Sequence, residues 1–368
     1  MSRTVGILLA GTHPWTRSAF DRLTPRALLP VAHRPLIWYA LSWFQREGLP
    51  EVAVCGNRET RALRSFLDRY PLLEVGVSYH EDPMPRGAAG SARDAAMATN
   101  ADTFVIADGT AIPNVDLQDV LLRHASSGAC ITVVLHSEAR SNGNPPLHVP
   151  TGTYVFARRA FEHVSERGFC DIKETLIPRL YTAGERIISY EATTAPPRVI
   201  DSTTYMAVNE WMVEHLVSQG EEPSGYVTRQ AALVHQEAFV AADAALVGPV
   251  LVGPGARILP GAVVVGPTSI GRDATVGRGA TLSRSAVWRR AVVSERAVAD
   301  RCIVADDAVV APGSRILRGV VTVDWEASPK PDMFREQLSR SHKIVLDVGF
   351  RVGRFMLGTN SLRSPAAE

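Results

Sequence analysis

The chain changes its hydrophobic rhythm near its middle. Up to Ser218, short apolar runs alternate with segments of helical spacing. Val5-Gly6-Ile7-Leu8-Leu9-Ala10 is a continuous apolar run stopped by Gly11, as expected of a strand buried on both faces. Leu36 to Glu47 has its apolar residues at helical spacing, Glu51 to Cys55 reads as a second strand, and Glu59 to Arg69 as a second helix. The same reading predicts strands at Glu74 to Tyr79, Thr103 to Ala107, Cys130 to Leu135 and Gly152 to Phe156, with helices at Ala88 to Ala98 and Asp116 to Ser126. Strands alternating with helices predict an α/β domain built on a parallel sheet, over residues 1–218.

After the linker-like Ser218 to Ser224, which holds Gly220, Glu221, Glu222 and Pro223, the period becomes six. Val240, Leu246, Val252, Ile258, Val264, Ile270, Val276, Leu282 and Trp288 stand six apart without a break, and Val292, Val298, Val304, Val310 and Ile316 continue in a shifted frame. Glycine follows the apolar position by one (Gly253, Gly271, Gly277) or precedes the next by three (Gly255, Gly261, Gly279, Gly313), where a corner between short strands calls for positive φ. A six-residue side with an aliphatic residue inside and a small residue at the corner describes a triangular parallel β-helix. Three sides give a coil of about 18 residues, hence four to five coils in a domain spanning 236–323.

Asp324 to Pro331 reads as a second linker, and residues 332–357 as a C-terminal amphipathic helix. Phe334, Leu338, Val345, Val348, Val352 and Phe355 form one stripe of it, and Arg340, Lys343, Arg351 and Arg354 another. Such a helix can touch a membrane surface, fill a partner's groove, or cap the open end of the coils. Asp332, Glu336 and Asp347 dilute the basic face and favour the cap.

Composition narrows the function classes. A length of 368 residues with 46% hydrophobic content allows two or three compact domains. The 39 basic and 38 acidic residues cancel to +1, so no overall field recruits nucleic acid or a polyanion. The opening apolar stretch is too short and too soon broken by Gly11 for a signal peptide or membrane span, and Cys55, Cys130, Cys170 and Cys302 lack the spacing of a zinc site or disulfide framework. A cytoplasmic protein is expected.

Several segments carry possible chemistry. In order they are Leu9-Ala10-Gly11; Leu23-Thr24-Pro25-Arg26-Ala27-Leu28-Leu29-Pro30-Val31-Ala32-His33-Arg34-Pro35-Leu36; Arg86-Gly87-Ala88-Ala89-Gly90-Ser91; Phe104-Val105-Ile106-Ala107-Asp108-Gly109; Thr151-Gly152-Thr153-Tyr154-Val155-Phe156; Asp171-Ile172-Lys173-Glu174-Thr175-Leu176-Ile177-Pro178; and Val199-Ile200-Asp201-Ser202-Thr203-Thr204-Tyr205. Their content and order resemble the sugar-1-phosphate nucleotidyltransferases, or NDP-sugar pyrophosphorylases, which have a Rossmann-like α/β fold. The second half resembles the hexapeptide-repeat, left-handed β-helix proteins. Taken alone, Asp108 and Asp201 read more readily as turn-capping residues at strand ends than as metal ligands.

The resemblance implies transfer of a nucleotidyl group from an NTP to a sugar 1-phosphate, with release of pyrophosphate, in glycan or polysaccharide precursor biosynthesis. It places Asp108 and Asp201 on Mg²⁺, Arg26 and Arg17 on phosphates as catalytic cations, and Gly11, Gly87 and Gly90 along the nucleotide. Gly87 and Gly90 are equally explained by close packing at a helix start.

This chain also departs from the family pattern. The glycine-rich phosphate loop reads Gly11-Thr12-His13-Pro14-Trp15-Thr16, with one glycine and a proline that has no N–H to offer. The signature lysine is Arg26, the arginine position holds Thr16, and only His136 to Pro150 stands where the family grips the sugar phosphate. Lys173 could contact a sugar phosphate but reads more readily as a solvated helix-start lysine. An alternative is therefore a catalytically inactive relative that regulates or scaffolds an active paralogue. The coils contain no histidine between His235 and His342, which removes the general base of hexapeptide acyltransferases and leaves a structural domain that forms a homo-oligomer.

Overall fold

The computed structural model describes residues 3–11, 20–57, 60–69, 75–82, 84, 86–140, 145–219 and 223–323. The helix predicted at 332–357 and the candidate Arg17 lie outside the described residues. The first part is an α/β domain built from β1 (Thr4–Leu9), β2 (Pro30–Val31), β3 (Arg34–Pro35), α1 (Leu36–Arg46), β4 (Glu51–Asn57), α2 (Arg61–Arg69), β5 (Gly76–Asp82), α3 (Gly87–Met97), β6 (Thr103–Asp108), α4 (Leu117–Ser127), β7 (Ile131–Glu138), β8 (Leu147–Ala157), α5 (Ile177–Thr182), β9 (Ile187–Glu191) and α6 (Ser202–Ser218).

The sheet order is β5-β4-β1-β6-β8-β7-β9. β1, β4, β5 and β6 run parallel, as predicted, whereas β8 is antiparallel to both neighbours, so the sheet is mixed. Alternation along β1 supplies both faces. Val5 and Ile7 join Ala89, Ala92, Phe104, Phe156 and Phe161 on one side, while Leu8 joins Ile37, Leu41, Trp43 and Phe44 from α1 on the other. The short His136 to Pro150 segment is largely a hairpin arm, with Leu135 opposite Pro150 and Glu138 opposite Leu147.

The second part is a β-helix with three parallel sheets, each strand pairing with the one a coil later. Its early coils have 18 residues: Val250 pairs with Thr268, Arg257 with Thr275 and Val263 with Thr281. Later coils have 17, with Ala286 opposite Ile303 and Val292 opposite Val309. One side thus shrinks to five residues, and the frame is corrected accordingly. Val287 is the inward residue paired with Ile270, Trp288 lies beside it at the corner, and Val293 and Ala299 are the buried residues where the sequence pattern pointed to Val292 and Val298. The contracted corner is turned by Arg284, Arg301 and Arg318 at positive φ, so it carries no glycine signal.

The predicted glycine corners Gly255, Gly261, Gly279 and Gly313 do have positive φ. Gly253, Gly271 and Gly277 do not. There the missing side chain lets one coil stack closely on the next.

Helix α6 joins the two parts. Tyr205, Val208, Met212 and Val213 share one buried cluster with Leu251, Val252, Ile270 and Trp288 of the coils. The β2–β3 hairpin enters the same interface, where Asn209 Oδ1 accepts the Ala32 N–H at 3.0 Å and Asn209 Nδ2 donates to Ser269 Oγ at 3.1 Å.

Candidate functional site

Ligands of open α/β sheets sit at the carboxyl ends of the strands, where the Rossmann-like topology collects its turns. Here the ends of β1 and β6 lie side by side: Leu9 is in register with Asp108, and the Gly109 N–H bonds to the Leu9 carbonyl at 2.9 Å. Gly11 follows β1 after Ala10 and lies next to the Asn57 side chain at the end of β4. Asp108 and Gly11 therefore share one edge of the sheet, as the sequence anticipated.

Asp108 is the last residue of β6, and its surroundings are built by a distant segment. Residues 197–199 run antiparallel beside 110–112: the Ile112 N–H bonds to Pro197 O, and the Val199 N–H to Thr110 O, both at 2.8 Å. This pairing sets Arg198 against Asp108, with Nη2 3.5 Å from Oδ2. Nη2 also donates to the Thr151 carbonyl at 2.5 Å. Asp108 Oδ1 accepts the Thr110 N–H at 2.9 Å and the Thr110 hydroxyl at 2.7 Å. Burial alone would raise its pKa, but Arg198, the two Thr110 hydrogen bonds and Lys173 outweigh it and hold the carboxyl below its ordinary range.

Lys173 is partly buried rather than a freely solvated helix-start residue. Burial first, then the neighbouring Arg198, lower its pKa, while Asp108, Asp171 and Glu174 pull the other way. Asp171 Oδ1 is held by the N–H groups of Lys173 at 2.7 Å and Glu174 at 3.0 Å. Tyr154 completes the cluster, and burial raises its pKa.

Asp201 follows Arg198 by three residues and caps α6. Its Oδ1 accepts both the N–H and the hydroxyl of Thr204 at 2.8 Å, and its own N–H bonds to Thr204 Oγ1 at 2.9 Å. Mg²⁺ needs open carboxylate oxygens about 2.0–2.1 Å away. At Asp108 one oxygen is shared by two Thr110 donors and the other faces a guanidinium, while Asp201 is committed to its helix. Among the described residues no cluster of three or more His, Cys, Asp or Glu side chains is placed to hold a metal ion. With Oδ1 held by Thr110 and Oδ2 facing Arg198, the Asp108 carboxylate does not fit a divalent ion.

The remaining candidates are occupied within the chain too. Arg26, 14% exposed, pairs with Asp21 at 3.1 Å. Gly87 and Gly90 belong to the start of α3, whose Ala89 and Gly90 N–H groups bond to the Cys170 carbonyl at 3.0 and 3.4 Å. A side chain at Gly87 would strike that carbonyl, and one at Gly90 would strike Arg86. Sequence reasoning missed Arg198 altogether. Its only signal was a lone arginine in the otherwise apolar Pro196-Pro197-Arg198-Val199-Ile200.

Residues 19–144 match the nucleotidyl transferase family. Over 262 residues the chain is 23% identical to a mannose-1-phosphate guanylyltransferase of Mycobacterium tuberculosis (strain ATCC 25618 / H37Rv), covering 64% of this chain and 70% of that protein. Two crystal structures of HddC from Yersinia pseudotuberculosis, one complexed with GMP-PN, share the fold at a TM-score of 0.50 and 10% identity, covering 58% of this chain and all of theirs.

Proposed function

We propose, for a chain whose residues 19–144 match the nucleotidyl transferase family, a divergent NDP-sugar pyrophosphorylase-like function: transfer of a nucleotidyl group from an NTP to a sugar 1-phosphate. In that reaction a phosphate oxygen of the sugar 1-phosphate bonds to the α-phosphorus of the NTP, the bond to the β-phosphate breaks, and pyrophosphate leaves. The observation that carries the reading is Asp108 at the end of β6, in the matched domain and beside the turn that follows β1. Such a transfer asks for alignment and charge neutralisation more than for acid–base groups. Arg198 and Lys173 supply fixed positive charge beside Asp108.

A second reading, a binding or regulatory subunit of an active paralogue, has its own support. Arg26 is turned into an ion pair with Asp21, and Arg198 stands on the carboxylate that the family would give to Mg²⁺. In both readings the β-helix serves homo-oligomerisation and the setting is cytoplasmic glycan precursor synthesis. Among the described residues no helix is long and apolar enough to cross a membrane.

The deciding assay incubates the purified chain with each NTP, a panel of sugar 1-phosphates and Mg²⁺, and measures pyrophosphate. Release that vanishes in Asp108→Ala establishes transfer. No release with any pair, together with co-purification of a conventional pyrophosphorylase, establishes the regulatory subunit.

A further inference from the structure

We propose that Arg198 stands in for a divalent cation at Asp108, so that the phosphates of the ligand meet a guanidinium and their binding is independent of metal. The inference rests on the reading above only in taking a phosphate-bearing ligand.

The seat of the guanidinium is built by three groups. The Thr151 carbonyl accepts from Nη2, Asp108 Oδ2 lies 3.5 Å from the same nitrogen, and Gly152, without a side chain, leaves room for it. Gly152 has φ +87, and a Cβ there would run into both Nη2 and the Asp108 side chain. The backbone is thus shaped around the arginine. The pairing of 197–199 with 110–112 fixes where the side chain starts, and the Thr151 carbonyl fixes where it ends.

A guanidinium in this seat has donors to spare. It carries five N–H groups in a planar fork, suited to two oxygens of one phosphate. The hydrogen bonds it makes among the described residues engage Nη2 alone. Lys173 adds a second positive charge near the same carboxylate and makes no ion pair among the described residues. Asp171, the other nearby carboxylate, is pinned by backbone N–H groups, and Glu174 is exposed. A phosphate arriving at Asp108 therefore finds two cations beside that carboxylate, without the dehydration that recruiting a divalent ion entails.

The test uses the full chain and two probes that need no turnover. The first is Mn²⁺ alone, titrated by electron paramagnetic resonance. Wild type is expected to show no Mn²⁺ site that depends on Asp108 in the millimolar range. Arg198→Met is expected to gain at least tenfold in Mn²⁺ affinity, and to lose that gain when combined with Asp108→Asn. Wild-type Mn²⁺ binding that Asp108→Asn abolishes overturns the proposal, and this arm remains decisive if Arg198→Met fails to fold.

The second probe is inorganic pyrophosphate in excess EDTA, followed by calorimetry. Binding by wild type that weakens at least tenfold in Arg198→Met or Lys173→Met is expected. Pyrophosphate that binds only when Mg²⁺ is added, or not at all, overturns it. Failure of the pyrophosphate-release assay would instead count against transfer, leaving both of these measurements standing.

Discussion

Trp288, at a corner of the β-helix, donates its indole N–H to the Tyr205 hydroxyl on α6 at 2.7 Å, and the Tyr205 hydroxyl donates in turn to the Pro30 carbonyl at 2.6 Å. Three elements, the coil stack, α6 and the β2–β3 hairpin, are thereby joined through one buried hydroxyl. Tyr205 is fully buried and also packs its ring edge against Trp288 with centroids 5.9 Å apart.

Tyr205→Phe keeps the ring and deletes the relay, leaving a buried indole N–H and a part-buried carbonyl without their partner. Each orphaned group costs about 1–3 kcal/mol, so a loss of about 2–6 kcal/mol is expected in urea unfolding. In a double-mutant cycle with Trp288→Phe the two positions should couple by more than about 0.5 kcal/mol. Additive effects would mean that the hydroxyl and the indole act independently.

Much of this architecture was legible in the sequence. Every inward position of a coil must be apolar, so the six-residue repeat shows through the first coils without ambiguity. The contraction to five residues was not legible, because Arg284, Arg301 and Arg318 turn its corner and nothing in the residue type marks a left-handed conformation. Helix α6 also escaped. Its apolar residues are divided between the α/β domain and the coils, so no single stripe forms. The place of Asp108 at a strand end was legible from its motif, whereas Asp201 caps a helix. Arg198 was not legible, because its meeting with Asp108 depends on a pairing between segments about ninety residues apart, which no local pattern records.

Two buried histidines make stability fall with acidity. His124 shares a hydrogen bond with Thr132 Oγ1 at 2.8 Å, and His33 with the Tyr226 hydroxyl at 3.1 Å. Burial lowers each pKa to about 4. Both are neutral in the folded chain at pH 5, where the unfolded chain is protonated on both, with a pKa of about 6.5. Their contribution is therefore complete above pH 6.5 and is lost as the pH falls towards 4. For His124, 5% exposed, the limiting loss is about 3 kcal/mol. Urea midpoints should drop between pH 7 and pH 4.5, and the drop should shrink in His124→Gln. A midpoint constant over that range would rule the histidines out.

The close stacking of coils separates two kinds of glycine. At Gly277 a Cβ would lie 2.6 Å from backbone atoms of Ser294 and Glu295 in the next coil, so Gly277→Ala must push two coils apart and should cost more than about 2 kcal/mol. At Gly313, with φ +65, nothing lies within 4 Å, and Gly313→Ala carries only the backbone penalty of about 1 kcal/mol. Thermal unfolding of the two variants should rank them in that order. Equal losses would show that the coils relax freely around an added methyl.

Asn209 sets the last test, because it holds a strained turn against the coils. Ala32 and His33, at the tip of the β2–β3 hairpin, have φ of +44 and +71, positions where side chains other than glycine, asparagine or aspartate are disfavoured. The Ala32 N–H is fixed by Asn209 Oδ1, and Asn209 reaches Ser269 with its other amide atom. Asn209→Leu, of similar size, removes both bonds in a fully buried position and should cost about 2–5 kcal/mol. Ser269→Ala removes one partner and leaves the Ala32 bond intact, so a loss of about 1–3 kcal/mol is expected. Hydrogen exchange discriminates between the two: the Ala32 amide should lose protection in Asn209→Leu and keep it in Ser269→Ala. Protection unchanged in both would mean that the turn is held by His33 and its packing rather than by the asparagine.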